Sequence, residues 1–361
     1  MFFKPGSIIG ASFFAGGAGA YALYRQNKNR EVQVQETNMI LKREESTSPA
    51  SSADSSKAAG SDTSVPPVTS TALVLYTGGS GGIVPEKNKS SGSPINVGLE
   101  SLRYGFPGPI NDSGVRQSYA YSYNRMMKNP NWIAEHLTRD TIKGPADRQK
   151  SKFREDSSIP HKNRTHLSDY FRSGFDRGHM APAGNSKFSQ QAMDETFILS
   201  NISPQVGEGF NRHYWAFFES FIRDLTNRYK HVYVITGPLY LPSHDPKTNK
   251  WTVTYQVIGN PPNIPVPTHF FKAVLATNNE PSPVSPTSSS NKEPYFMQAF
   301  VIPNSKVLNE TPLQNFITPI DAVERATGLE LFSSIDRKKD PVSELCSHTV
   351  CKVKIDPRYI D

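Results

Sequence analysis

The residues best suited to chemistry sit in one short run, "FRSGFDRGHMAPAGN", Phe171 to Asn185. Within it Asp176, Arg177, Gly178 and His179 follow one another. That order suits neither the face of a helix nor the alternation of a strand. It does suit proton transfer beside an anion. An imidazole titrates near neutrality and takes a proton from water when a neighbour fixes its ring. A guanidinium presents a planar fork matched to phosphate oxygens. A glycine lets the backbone turn or approach closely between the two. Taken alone, the four residues also fit a surface Asp–Arg pair beside a satisfied histidine.

The next segment, "LSNISPQVGEGFNRHYWAFFE", adds Asn201, Asn211 and Glu219. An amide oxygen is a neutral, hard ligand for magnesium, and a carboxylate can order the waters that complete its octahedron. Asn211 falls at the expected start of a long helix, with Glu219 eight residues later. Eight residues make about two turns, which leaves the side chains within roughly 80° of each other. Arg223 follows four residues after Glu219, placed to pair with it. The helix alone also fits a capping asparagine followed by an ordinary ion pair.

These residues need a scaffold. Runs rich in aromatic and β-branched residues predict strands over 118–124, 231–237, 251–259, 268–276 and 295–302. The spacing predicts a short helix over 130–137 and another at "IDAVERATG", stopped near Gly328. The longest predicted helix is 211–229, with Trp215, Phe218, Ile222 and Leu225 as its buried stripe. Strands joined by short turns, with helices grouped between them, imply an α+β chain built on a largely antiparallel sheet.

The chain outside that scaffold has a different composition. Only 36% of the 361 residues are apolar and 29 are prolines, so part of the chain is core-poor. Residues 1–30 lack acidic side chains and carry the apolar run "SIIGASFFAGGAGAYALY". Secretory signal, membrane anchor and mitochondrial presequence with anchor all compete there, and the acid-free, arginine-containing flank favours the mitochondrial reading. Residues 31–93 are rich in serine, threonine and proline and are expected to be a disordered linker. Within it "TGGSGG" lacks the Lys-Ser/Thr of a phosphate loop. The folded domain is expected over 94–361, interrupted by a similar disordered loop insertion at 278–293. The net charge of +7 favours a polyanionic partner or an anionic surface. Two cysteines, Cys346 and Cys351, are too few for a secreted disulfide scaffold and have no second ligand pair for zinc. They are read as two thiols, reduced or joined in one local disulfide.

Five segments in this order, "SGFDRGHMAPAGN", "QQAMDETFILSNISPQ", "FNRHYWAFFE", "TGPLYLP" and "VPTHFFK", resemble the DNA/RNA non-specific endonucleases. The likeness is greatest to their mitochondrial endonuclease G branch, especially its fungal members, and covers 118–328. It implies the ββα-metal (His-Me finger) fold, with a central antiparallel sheet flanked by helices. It implies a magnesium-dependent (or manganese-dependent) hydrolase of DNA and RNA that leaves 5′-phosphate ends, commonly a homodimer. Residue by residue, the resemblance makes His179 the general base and Arg177 a phosphate contact. Asn211 becomes the direct metal ligand and Glu219 a ligand through water. Arg223 has a supporting place, and Asn201 lies near the histidine. A further upstream arginine falls among Arg148, Lys150, Lys152 and Arg154, between which the sequence does not choose. Where the family often has N-Q-x-x-W, this chain has "NRHYW". For localisation the resemblance implies the mitochondrion, at the inner membrane or in the intermembrane space. Two other classes stay open: a tethered nucleic-acid-binding protein without catalysis, and a phosphodiesterase for small nucleotides or lipids.

Overall fold

The computed structural model describes residues 111–280 and 293–355. The N-terminal segment 1–30, the linker 31–93 and positions 281–292 of the insertion lie outside the described residues. In chain order the strands are β1 (Asn111–Val115), β2 (Tyr119–Asn124), β3 (Asn129–Leu137), β4 (Asp176–His179), β5 (Ile202–Gln205), β6 (His231–Leu239), β7 (Ser243–Asp245), β8 (Lys250–Thr252), β9 (Val257–Ile258), β10 (Ile264–Pro265), β11 (His269–Thr277), β12 (Tyr295–Pro303), β13 (Ile317–Thr318) and β14 (Val342–Glu344). The α-helices are α1 (Leu167–Tyr170), α2 (Gln190–Thr196), α3 (Tyr214–Leu225), α4 (Ile320–Thr327) and α5 (Leu345–His348).

The main sheet runs β1-β2-β3-β6-β11-β12-β13, and β14 also pairs with β12. Every pairing in it is antiparallel except β12 with β14. The chain is α+β, as its pattern predicts. Strand β11, "HFFKAVLAT", is central and covered on both faces, so its apolar residues run on without alternation. Phe270 and Val274 meet α3, whereas Phe271 and Ala273 join a second core with Val323 of α4. On α3, Trp215, Phe218, Ile222 and Leu225 are buried, the stripe expected from their spacing. Burying each such large side chain contributes about 1.5–3 kcal/mol. Helix α4 ends at Gly328, whose φ of +70° supplies the left-handed stop.

Several local expectations are corrected. The predicted helix over 130–137 is strand β3, paired on both sides by β2 and β6. Ile133, Glu135 and Leu137 alternate inward along it, and the buried glutamate breaks the apolar alternation that marks a strand. The predicted strand over 251–259 is interrupted: only 250–252 and 257–258 are paired, while Trp251, Val253, Tyr255 and Val257 are exposed. The D-R-G-H run, expected to suit no strand, is itself β4, antiparallel to β5. The long helix begins at Tyr214 rather than at Asn211, because His213 takes a non-helical conformation (φ −126°, ψ −99°). The cysteines form one local disulfide, Cys346–Cys351, and Cys351 packs in the main core. Among the described residues no helix is long and apolar enough to cross a membrane.

Candidate active site

Strand β4 carries the histidine, and its neighbours constrain which residues fit there. Gly178 pairs with Ser203 across β4–β5, and the Gln205 side chain lies over it: a Cβ at Gly178 would stand 2.0 Å from Gln205 Oε1. Glycine leaves room for that buried Gln205 side chain. The residues after His179 are then anchored from two sides. Asn201, fully buried, accepts from Ala181 N at 2.9 Å and donates to the carbonyls of Ala181 (2.9 Å) and Thr196 (2.8 Å). Lys272 on β11 donates to the Met180 carbonyl at 3.3 Å and to Thr236 Oγ1 at 2.8 Å. Asn201 therefore touches the backbone that positions His179.

The His179 ring lies between Phe153 (centroids 5.3 Å apart) and Phe197 (4.7 Å, edge-on). Each of these rings carries an arginine. The Arg177 guanidinium is 4.3 Å from the Phe153 centroid, and that of Arg148 is 5.5 Å from the Phe197 centroid. His179 is buried and its Nε2 has no hydrogen-bond partner. Burial first, then the positive charges of Arg148 and Arg177, lowers its pKa to about 3. The imidazole is neutral at physiological pH, with a lone pair unused by the protein.

Asn211 sits in the turn Gly207–Asn211 before α3, which Gly209 closes at φ +78°. The expected common helical face with Glu219 is thus corrected: a break in the chain separates the two. Asn211 Nδ2 donates to Asp176 Oδ2 at 2.9 Å, and Arg212 clamps the same carboxylate with Nε at 2.8 Å and Nη2 at 2.5 Å. Burial raises the Asp176 pKa, but the hydrogen bonds from Arg212 and Asn211 outweigh it and hold the carboxyl below its ordinary range. A carboxylate only accepts, so the Asn211 amide must turn its nitrogen towards Asp176 and its Oδ1 away. Glu219 is half-buried on α3. Burial raises its pKa, opposed by Lys272, Arg223 and Arg148. The expected Glu219–Arg223 pair is replaced by a different contact: Arg223 Nη1 donates to Asn185 Oδ1 at 3.2 Å and acts on Glu219 through space.

Behind these residues lies a group that the sequence did not disclose. Asn185 Nδ2 donates to Glu135 Oε1 at 2.9 Å, while Glu135 Oε2 is buried without a partner. Burial raises the Glu135 pKa to about 7, against the pull of Lys272 and the Asn185 hydrogen bond. Burial lowers that of Lys272, against the opposing pull of Glu135 and Glu219. A lysine inside the apolar run of β11 and a glutamate at an inward position of β3 were the available signals.

The site thus joins Arg177 and Arg148 to His179 through the Phe153 and Phe197 rings, and Glu219 and Arg223 through shared charge. Asn211 is tied to Asp176, three residues before His179 on β4. Of the four upstream cations, Arg148 is the one that acts on both His179 and Glu219. Among the described residues no group of three or more His, Cys, Asp or Glu is placed to hold an ion. An outward amide oxygen with a nearby carboxylate still fits a hard divalent cation that keeps most of its waters.

Known proteins share this arrangement of sequence. The DNA/RNA non-specific endonuclease model matches residues 98–338. "Mitochondrial nuclease" of Saccharomyces cerevisiae is 52% identical over 255 residues, 70% of this chain and 75% of that protein. "Nuclease 1, mitochondrial" of Schizosaccharomyces pombe is 45% identical, over 70% of this chain and 76% of its own. "Endonuclease G, mitochondrial" of Caenorhabditis elegans is 40% identical over 66% of this chain and 73% of its own. A solved structure of EndoG in complex with EndoGI superposes with a TM-score of 0.59 at 39% identity, covering 71% of this chain and all of that one. The ββα-metal fold expected from the resemblance is the fold of that neighbour. With the family pattern spanning both the sheet and the site built on β4 and α3, this chain belongs to the DNA/RNA non-specific endonuclease family.

Proposed function

We propose that the protein is a mitochondrial sugar-non-specific endonuclease that hydrolyses phosphodiester bonds of DNA and RNA. The observation that carries the mechanism is the neutral His179 imidazole held between two arginine-capped rings. His179 takes a proton from the attacking water, and Arg177 and Arg148 hold the scissile phosphate between them. A bound phosphate also offsets the charges of those arginines, which removes the smaller part of what lowers the His179 pKa while burial remains. Magnesium, with manganese as the alternative, would be held by Asn211 Oδ1 directly and by Glu219 through water. When bound it neutralises charge on the phosphate and on the leaving 3′-oxygen. Asp176 fixes the Asn211 amide, Arg223 supports Glu219, and Asn201 and Lys272 hold the chain after His179. The products carry 5′-phosphate and 3′-hydroxyl ends. A site that grips backbone reads little base sequence.

The domain spans 94–361 and acts as a homodimer, as the family resemblance implies. Residues 1–30 tether it at the inner membrane or in the intermembrane space through the linker 31–93. Incubation of the protein with plasmid and with a dinucleotide, with magnesium and with chelator, tests the function. Metal-dependent nicking of plasmid is expected. Binding without nicking would favour the non-catalytic class, and cleavage of the dinucleotide alone would favour the small-substrate phosphodiesterase.

A further inference from the structure

Between α1 and the start of β4 lies a cleft of about 280 Å³, lined by Tyr170, Phe171, Arg172, Phe175, Asp176 and Arg177. It adjoins the residues assigned to the scissile phosphate, yet none of Tyr170, Phe171, Arg172 and Phe175 has a part in the chemistry described above. The backbone here takes a left-handed conformation at both Arg172 (φ +55°) and Gly174 (φ +83°). Arginine adopts that conformation reluctantly. The turn leaves Phe171 73% exposed, with the Arg172 guanidinium 5.1 Å from the ring centroid. An aromatic ring that exposed gains little from burial, so its packing in the free protein does not explain it. Tyr170 also lines the cleft and is 6% exposed, so it serves as a fixed wall and not as a polar contact. The Asp176 carboxylate in the wall is occupied by Arg212 and Asn211, which leaves the charge of the cleft to Arg172 and Arg177.

Flat aromatic and guanidinium surfaces and positive charge together suit one ligand chemistry: a planar heterocycle joined to a phosphate. We propose that this cleft is a stacking subsite for the nucleobase next to the scissile phosphate, with Phe171 and Arg172 as its platform. The inference rests on the nuclease reading of the neighbouring site. Any base has a π-face, so the subsite is tolerant of sequence. It demands instead that one base leave its stack, which favours single strands and frayed or damaged duplex over intact duplex. The phosphate on the far side of Arg177 fixes register, and the base in the cleft fixes which bond is presented.

Two measurements test this on the full chain. In the first, His179→Ala protein binds a hexanucleotide carrying 2-aminopurine at every position, and fluorescence is read at saturation together with anisotropy. Stacking is expected to quench the probe, and the added Phe171→Ala change is expected to remove a discrete part of that quench. Identical quenching in both proteins overturns the subsite. In the second, wild-type protein cuts a single-stranded oligonucleotide with one internal abasic position, and each cut bond is mapped. Cleavage of one flanking bond should fall about tenfold relative to distant bonds, the loss of one stacked base. In the Phe171→Ala protein that dip should disappear. A dip of equal depth in both proteins, or no dip in wild type, rejects the proposal while leaving the nuclease reading intact. Absence of any binding or cutting in every protein rejects both.

Discussion

Lys272 Nζ donates to the Met180 carbonyl oxygen at 3.3 Å, so a buried ammonium on the central strand grips the peptide that follows His179. Its other contacts are Thr236 Oγ1 and the face of Trp215, 4.9 Å from the ring centroid. Glu135 and Glu219 supply the opposing charge. Removal of the lysine alone would take away the buried positive charge that acts through space on both glutamates and leave their charged forms uncompensated. Lys272→Met should therefore be strongly destabilised in urea titration. The double change Glu135→Gln with Lys272→Met should recover much of the loss. Equal stability of the single and double variants would show that Glu135 is not the partner.

Acid should weaken the fold through two histidines. Burial first, with Arg148 and Arg177 added, lowers His179 to about 3, and burial lowers His269 to about 4. The unfolded chain binds these protons near pH 6.5 and the folded chain refuses them, so their contribution is complete above 6.5 and is lost as pH falls towards 4 and 3. Each group adds at most about 1.4 kcal/mol per pH unit to that slope. Glu135 works in the opposite sense: its folded pKa of about 7 makes its contribution present below pH 4.5 and lost as pH rises through 7. Thermal melts across pH should show a shallower acid limb in His179→Gln and a flatter neutral limb in Glu135→Gln. Unchanged limbs in both would mean these groups keep ordinary pKa values.

Gly178→Ala should be more harmful than a surface glycine change. The new methyl would sit 2.0 Å from Gln205 Oε1 and 2.2 Å from its Cδ, and Gln205 is fully buried. Overpacking of this kind costs about 1–3 kcal/mol and would move β4 off β5, taking His179 with it. Adding Gln205→Ala makes room and also removes an amide that has no hydrogen-bond partner on either atom. The double variant should regain melting temperature over Gly178→Ala. Failure to do so would place the clash elsewhere.

Among the upstream cations, Arg148 should stand apart. Its charge lowers the pKa of His179, so Arg148→Ala should raise the His179 titration seen by NMR as well as reduce turnover. Lys150→Ala, Lys152→Ala and Arg154→Ala should each only lower the salt slope of nucleic-acid binding by about one. Equal loss of turnover in all four would make the segment a general electrostatic guide.

Asp176 should matter through Asn211. Asp176→Asn can offer either an oxygen or an amide group, so the Asn211 amide would no longer be held with Oδ1 outward. Loss of such an orienting partner typically costs about 10–100-fold in metal affinity. Magnesium titration of activity should shift accordingly in Asp176→Asn, and Asn211→Ala should abolish the metal-dependent rate. A wild-type titration in Asn211→Ala would place the ligand elsewhere.

The chain's own order of residues determined a good deal. The apolar runs of β6, β11 and β12 and the stripe on α3 were legible, because periodicity and β-branched or aromatic content act locally. Arg177, His179, Asn201, Asn211, Glu219 and Arg223 were legible as a candidate set from residue type and order. What local pattern could not supply was phase and partnership. Asn211 and Glu219 lie eight residues apart in sequence, but the His213 backbone breaks the helix between them, and a helical wheel assumes no break. Strand β3 was missed because Glu135 occupies an inward position. That glutamate has meaning only beside Asn185 and Lys272, 50 and 137 residues further along the chain. Arg148 was likewise one cation among several until Phe197 placed it over the histidine's slot. Charges act through space and burial sets how strongly, so only the folded sheet could decide which of them His179 and Glu219 feel.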